Sequence, residues 1–332
     1  MTGSRARAVV LTAPGLDPPP QLADLADDLD VEVVHADGLA QALAGARVLF
    51  LWDFFSPAVA RAWEAADALE WVHVAAAGVD TLLFPGLVRS PVVVTNAQGV
   101  FDRPIAEFVL ASVLAHVKRL HESRDLQRQH RWQHRETTLL LGQRVLVVGT
   151  GGIGRATVAL LRAVGCEVRA AGRRAVPDDH ELGEVVASSA LVDHVGWADH
   201  VVNAAPLTPA TTGLLDASVF AAMRPGAHVV NIGRGASVVQ DDLLAALRTG
   251  HLGGASLDVL EEEPPPEGSP VWDTPGLVLS AHLSGDVVGW RDTLAEQFVA
   301  NARRFVAGEP LTGVVDKELG YVPRTGSGQV RV

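Results

Sequence analysis

Short, near-continuous apolar runs rich in β-branched residues punctuate the first hundred positions: 7–12 (RAVVLT), 31–34 (VEVV), 47–52 (RVLFLW), 71–75 (WVHVA) and 92–95 (VVVT). Runs of this length with no polar alternation read as strands of a parallel sheet buried on both faces. Between them, QLADLADDL and PAVARAWEAADAL space their Ala and Leu residues at helical intervals, so the region reads as a βαβ-type domain. DRPIAEFVLASVLAHVKRL then carries Ile105, Phe108, Val109, Val113, Val117 and Leu120 three or four apart, with Asp102 and Pro104 as start signals. The spacing predicts one long helix bridging two domains. From residue 143 a second alternation begins, with strands expected in VLVV, EVRA, HVVNAA, AHVVNI, ASLDVL and LVLSAH. The segment RDTLAEQFVANARRFVAG after Trp290 is helix-like, and Gly308 suits its end.

The pattern changes character at VLVVGTGGIGRATVALL, where a strand passes through Gly149, Gly151 and Gly154 straight into a helix. Strand before and helix after raise G-x-G-x-x-G above a chance match in a chain with 32 glycines. The first glycine permits the tight turn, the second lets the backbone approach a pyrophosphate, and the third lets helix and strand pack closely. The free N–H groups of the helix then face the phosphates. About twenty residues on, where such folds place an acid against the adenosine ribose, this chain has Gly172 followed by Arg173 and Arg174. A guanidinium pair suits a 2′-phosphate that a carboxylate would repel, so NADP is expected in preference to NAD. Solvated loop residues are the plainer reading of the two arginines.

Three further residues each follow an expected strand: Arg234 in VVNIGRGASV, Glu263 before the proline run of SLDVLEEEPPPEGSPVW, and His282 in LVLSAHLSG. Each alone is weak; together, on one side of a nucleotide fold, they form a candidate catalytic set. A planar cation can bind carboxylate and carbonyl oxygens at once. Imidazole is the side chain whose ordinary pKa suits proton donation near neutrality, and a carboxylate on its far nitrogen would fix the tautomer and favour the imidazolium. No Cys/His or HExxH spacing suggests a metal.

These motifs, with AAAGVD (75–80), NAQGVFDRPIAEF (96–108), APLTPAT (205–211), LDVLEEEP (257–264) and GEPLTGVV, make the chain resemble the D-isomer-specific 2-hydroxyacid dehydrogenases, which include glyoxylate/hydroxypyruvate reductases. The resemblance covers nearly the whole chain. It implies an α/β fold of two doubly wound parallel-sheet domains, a Rossmann dinucleotide-binding domain (100–290) inserted into a flavodoxin-like substrate domain (1–99 plus 291–332). Its catalytic triad would be Arg234, Glu263 and His282. Gly149, Gly151, Gly152, Ile153, Gly154, Pro206 and Thr208 would bind cofactor, with Asp258 near the nicotinamide carboxamide. The backbone at Gly78 and Val79 would hold the substrate carboxylate. Two departures stand out: Ser-Ala-His replaces the commoner Thr-Pro-His, and Gly172 replaces the ribose-binding acid.

Substrate choice is expected to rest on loops of the first domain, where Trp52, Asp53, Phe54 and Phe55 follow the third strand; Trp132 and Trp290 are further aromatic candidates. Ordinary packing is the competing reading for each Trp. Glyoxylate and hydroxypyruvate are the simplest substrates to expect. Relatives that bind the dinucleotide as interaction or co-repressor proteins, and formate or phosphite dehydrogenation on the same scaffold, stay open as alternatives.

Bulk properties narrow the partners. A formal net charge of −12 with scattered bases argues against nucleic acid. Cys166 is the only cysteine, which fits a reducing compartment, and neither a signal peptide nor an eighteen-residue apolar span is evident. The expectation is a cytoplasmic protein with no membrane partner, forming a homodimer through its nucleotide domain as the resemblance suggests.

Overall fold

The structure, a computed structural model, describes residues 5–323. Its residues divide into two compact units: those up to Val100 together with those from Val288 onward, and Phe101–Val287. The ends of the expected substrate domain, residues 1–4 and 324–332, lie outside the described residues.

In the first unit, β1 (Ala6–Leu11), β2 (Leu29–Val34), β3 (Val48–Leu51), β4 (Trp71–Val74) and β5 (Val93–Asn96) form a parallel sheet in the order β2-β1-β3-β4-β5. This is the flavodoxin-like order, with its winding reversed between β1 and β3. All four residues of β3 and of β4 are buried, as expected for apolar strands covered on both faces, and in β4 this includes His73. The helices α1 (Leu39–Leu43), α2 (Ala58–Ala62) and α3 (Pro85–Arg89) are short. QLADLADDL does not form the helix its spacing suggests: Pro20–Leu25 makes a 3-10 turn, and Leu29 is taken into β2. Pro18, Pro19 and Pro20 hold the chain extended up to the turn, leaving too few residues for a stable α-helix.

The second unit begins with α4 (Asp102–Val117), which ends earlier than the spacing predicts. Arg119 is left-handed (φ 50°), and α5 (Leu120–Arg128) sets off afresh. Eight strands follow: β6 (Arg144–Val148), β7 (Glu167–Gly172), β8 (Val176–Asp179), β9 (Gly183–Ala187), β10 (His200–Asn203), β11 (His228–Asn231), β12 (Gly254–Leu257) and β13 (Leu277–Leu279). Their order is β13-β12-β11-β10-β6-β7-β9-β8. Apart from the antiparallel edge strand β8, the sheet is parallel and contains the Rossmann order, reversing between β6 and β10. The β8–β9 pair was not expected: β9 is short, and β8 (VPDD) is exposed and includes Pro177, which an edge strand tolerates. The connecting helices are α6 (Gly152–Ala163), α7 (Leu191–His194), α8 (Ala217–Ala222) and α9 (Gln240–Arg248).

The last helix, α10 (Trp290–Val306), belongs to the first unit, where Phe298 stacks on Phe50 at 4.0 Å between ring centroids and on Trp71 at 5.5 Å. Cys166 is a free, buried core residue. Among the described residues, no helix is long and apolar enough to cross a membrane.

Candidate active site

The glycine loop joins β6 to α6. Gly149 sits at φ +120°, and a Cβ there would lie 2.6 Å from the carbonyl oxygen of Ala204 on the neighbouring chain segment. A Cβ on Gly154 would run into the Gly149 carbonyl, so helix and strand approach as closely as a hydrogen side chain permits. Gly151, the N-cap of α6, has open space on its Cβ side. The first bond of α6 runs from the Arg155 N–H to the Gly151 carbonyl, which leaves the amides of Gly152, Ile153 and Gly154 at the anion-attracting end of the helix. These features fit a pyrophosphate. A Cβ on Gly152 would meet the carboxylate of Asp102, a residue the sequence marks only as a helix start.

Gly172 ends β7, and Arg173 and Arg174 follow it, exposed and without a hydrogen bond or ion pair among the described residues. Arg155, in contrast, is fully engaged: it donates to Asp179 (2.7 and 2.5 Å) and to Glu181 (2.7 Å), tying α6 to the β8–β9 turn. The Arg155 guanidinium and the Glu181 and Leu182 amides together hold the Asp179 carboxyl well below the usual carboxylate range despite its partial burial. Asp179 is thereby committed to the fold. Pro206 and Thr208 lie in the turn after β10, which is closed on itself by the Thr211 hydroxyl, a donor to Pro206 O at 2.6 Å and an acceptor from Thr208 N at 2.8 Å.

Three adjacent parallel strands deliver the candidate catalytic set. Arg234 follows β11, Asp258 and Glu263 follow β12, and His282 follows β13. His282 Nδ1 lies 2.8 Å from Glu263 Oε2, while Glu263 Oε1 accepts the Leu260 amide at 2.8 Å. Burial works to raise the Glu263 pKa, but the His282 hydrogen bond, the Leu260 amide and the charges of His282 and Arg234 outweigh it, so the carboxyl titrates below its ordinary value. Both side chains remain about one third exposed, so the imidazole is accessible.

Asp258 is 2% exposed and spends both oxygens on the loop carrying His282. Oδ1 accepts from the Ser280 hydroxyl (2.6 Å) and the Leu283 amide (3.0 Å), and Oδ2 accepts from the Ser284 amide (2.9 Å). Its backbone carbonyl accepts the His282 amide at 2.9 Å. His282 is left-handed (φ 51°), a conformation uncommon outside glycine, and these bonds determine it. Ser280, the first residue of the unusual Ser-Ala-His, supplies a hydroxyl donor.

Beneath Arg234 lies a buried polar network that sequence reasoning missed. Asn203 Nδ2 donates to Asn231 Oδ1 (2.9 Å) and to Ser237 Oγ (2.6 Å), while Asn231 Nδ2 (3.0 Å) and the Ser237 hydroxyl (2.5 Å) donate to the Arg234 carbonyl. Arg234 itself donates to Gly233 O at 2.9 Å. The signal was present: β10 and β11 both read HVVN and pair in register, His200 with His228 and Asn203 with Asn231.

In the first unit, Gly78 and Val79 follow β4. Among the described residues neither backbone N–H has an acceptor, as a carboxylate-holding pair requires. Trp52 is 4% exposed and its indole N–H donates to Asp17 O at 2.9 Å, so this side chain is a packed floor to the β3 loop.

Comparison with known proteins identifies the family. The family described as "D-isomer specific 2-hydroxyacid dehydrogenase, NAD binding domain" matches residues 110–284. A glyoxylate/hydroxypyruvate reductase A of Serratia proteamaculans is 31% identical over 266 residues, covering 76% of this chain and 82% of that protein. The NADPH-dependent glyoxylate/hydroxypyruvate reductase of Sinorhizobium meliloti, solved with NADP and sulfate, superposes with a TM-score of 0.83 at 28% identity over 96% of this chain and 100% of that one. A D-isomer specific 2-hydroxyacid dehydrogenase of Xanthobacter autotrophicus, solved with NADPH and MES, gives a TM-score of 0.80 at 31% identity over 95% of this chain and 99% of that one. The chain therefore belongs to the D-isomer specific 2-hydroxyacid dehydrogenase family and is a nicotinamide-dinucleotide-dependent oxidoreductase.

Proposed function

We propose that the chain reduces a small 2-keto acid of the glyoxylate/hydroxypyruvate type to the D-2-hydroxy acid, with NADPH preferred over NADH. The observation carrying this reading is the 2.8 Å pair of His282 and Glu263 beside the charge of Arg234, delivered by consecutive strands. The phosphate cradle is Gly149, Gly151, Gly152, Ile153 and Gly154, with Pro206 and Thr208 in the adjoining turn. Arg173 and Arg174, free at the end of β7, receive the 2′-phosphate. The bound dinucleotide supplies the hydride.

His282 Nε2 donates the proton to the carbonyl oxygen, while Glu263 holds Nδ1 and favours the charged ring. Arg234 binds the carboxylate and polarises the carbonyl, keeping its charge throughout. The amides of Gly78 and Val79 bind the carboxylate. Asp258 holds the His282 loop in shape.

The extended segment after α5 leaves Trp132 fully exposed and Leu139 69% exposed, which supports a homodimer formed through this unit. Cys166 fits a reducing compartment such as the cytoplasm.

The test follows oxidation of NADPH and NADH side by side with glyoxylate, hydroxypyruvate, pyruvate and phenylpyruvate, in the wild type and in His282→Ala. Turnover with NADPH that His282→Ala abolishes supports the assignment. Cofactor binding without turnover of any acceptor would overturn it.

A further inference from the structure

The Arg173–Arg174 loop hangs on a weak edge of the eight-stranded sheet. Residues 173–175 are all that join Gly172, the end of β7, to Val176, the start of β8. β8 is mostly exposed and contains Pro177. It meets β9 at Val176 opposite Val185 and at Asp179 opposite Gly183, with a shift in register between the two. So irregular an edge ladder fixes a short loop poorly by itself. A second support comes from α6, whose Arg155 and Arg162 stand seven residues, about two turns, apart and so share a face. Arg162 donates to the carbonyls of Glu181 (2.8 Å) and Leu182 (2.7 Å), in the turn after β8. Arg155 donates through both terminal nitrogens to the carboxylates of Asp179 (2.7 and 2.5 Å) and Glu181 (2.7 Å), while its Nε donates to the Thr150 carbonyl at 3.1 Å. Thr150 lies inside the glycine loop, and Gly172 packs against it so closely that a Cβ there would be 3.0 Å from Thr150 Cγ2. With side chains only 14% and 17% exposed, Arg155 and Asp179 meet largely out of water.

We infer that Arg155 is a positioning residue for cofactor choice: through Asp179 and Glu181 it fixes the far end of β8 to the pyrophosphate loop, and so sets where Arg173 and Arg174 meet the 2′-phosphate. The inference rests on those two arginines being the 2′-phosphate site. Arg155 does not serve the phosphates itself, because both of its terminal nitrogens are committed to carboxylates. In a bound dinucleotide the pyrophosphate and the 2′-phosphate are held on one adenosine ribose, so discrimination needs the two cradles at a constant separation. One guanidinium, bonded to the Thr150 carbonyl on one side and to two carboxylates of the hairpin on the other, holds that separation. A rigid planar fork suits this task better than an ammonium point charge. Cutting the link leaves Gly149, Gly151 and Gly154 in place, so affinity for NAD+ is the internal reference. What is lost is the additional affinity for NADP+.

The experiment measures Kd for NADP+ and for NAD+ by titration calorimetry, without substrate, and reads the ratio of the NAD+ value to the NADP+ value. Two variants cut the link with opposite changes in charge. Arg155→Met removes a cation. Asp179→Asn/Glu181→Gln removes two anions from the same place and keeps an oxygen for the amides of Glu181 and Leu182. Positioning requires both variants to lower the ratio about ten-fold, the lower end for one charge-assisted bond to the 2′-phosphate. Arg162 still holds the turn in each, so the hairpin keeps its fold. A guanidinium acting by charge alone would instead make Asp179→Asn/Glu181→Gln raise the ratio. Added to Arg173→Ala/Arg174→Ala, Arg155→Met should lower the ratio no further, because a positioning residue then has nothing left to position. A raised ratio in Asp179→Asn/Glu181→Gln, an unchanged ratio in both variants, or a further ten-fold fall on the Arg173→Ala/Arg174→Ala background would overturn the inference and leave the 2′-phosphate site standing. A wild-type ratio near one that Arg173→Ala/Arg174→Ala does not move would remove the site and the inference together.

Discussion

Glu263 and His282 meet through a single 2.8 Å contact between Oε2 and Nδ1, and the second Glu263 oxygen is already held by the Leu260 amide. The carboxylate can therefore neither rotate away nor serve as the proton donor itself; its effect on chemistry passes through the ring. Glu263→Gln preserves the shape and removes the charge. We expect kcat/KM for reduction to fall about 10- to 100-fold, with KM for NADPH little changed. Steady-state kinetics of both forms check this. Wild-type turnover in Glu263→Gln would show that the carboxylate charge plays no part.

Arg173 and Arg174 have no partner among the described residues, so their removal costs the fold little, and an effect on cofactor can be read directly. Arg173→Ala/Arg174→Ala should raise KM for NADPH roughly 10- to 150-fold, the equivalent of one charge-assisted bond at about 1.5–3 kcal/mol, with KM for NADH changed far less. Equal effects on both cofactors would refute a 2′-phosphate site. The converse substitution, Gly172→Asp, is a poorer test: a Cβ there lies 3.0 Å from Thr150 Cγ2 and 3.2 Å from Val185 Cγ1, so repulsion of the 2′-phosphate would be mixed with local repacking.

Asp258 buries its carboxylate against three donors of the His282 loop. Asp258→Ala strands the Ser280 hydroxyl and the amides of Leu283 and Ser284, a loss of about 2–5 kcal/mol that urea unfolding would detect. Activity should fall with it, because the left-handed backbone at His282 loses the bonds that determine it. Lost activity with unchanged stability would instead indicate that Asp258 acts by direct contact with the cofactor.

Strand ends explain what could be read in advance. Arg234, Glu263 and His282 each follow an apolar run, and in a parallel sheet those runs end on one edge, so linear order already groups the three residues. The glycine loop is legible for a similar reason: strand, turn and helix are contiguous. What escapes is set by pairing across the chain. Asn203 and Asn231 acquire their role beneath Arg234 only because β10 and β11 align residue for residue, and neither strand alone signals that register. The break after α4 escapes for another reason, since Val117 and Leu120 keep helical spacing while Arg119 turns the chain through a left-handed residue.

The same register places His200 beside His228 at the opposite ends of those strands, with His116 stacked on His228 at 4.3 Å. The hydrogen bonds allow one arrangement of protons. Gln143 Oε1 accepts from His200 Nε2 at 3.2 Å, so His200 Nδ1 is the acceptor in the 3.3 Å contact with His228 Nδ1, and His228 Nε2 accepts from the Ser256 hydroxyl at 3.0 Å. Both rings must be neutral, since a second proton on His200 would face the N–H of His228. Burial, with repulsion from His116, pushes His200 down to about 3, and burial with the neighbouring histidines pushes His228 well below its usual range; burial and His121 lower His116. The unfolded chain takes up these protons first, near pH 6.5. Stability is therefore complete above about 6.5 and declines as pH falls from there toward 3. At pH 5 the loss should reach about 2 kcal/mol for His200 alone. Urea unfolding at pH 7.5, 6 and 5 should show the wild type losing stability faster than His200→Gln, which has no imidazole to protonate; parallel declines would mean that the cluster accepts protons without opening the fold.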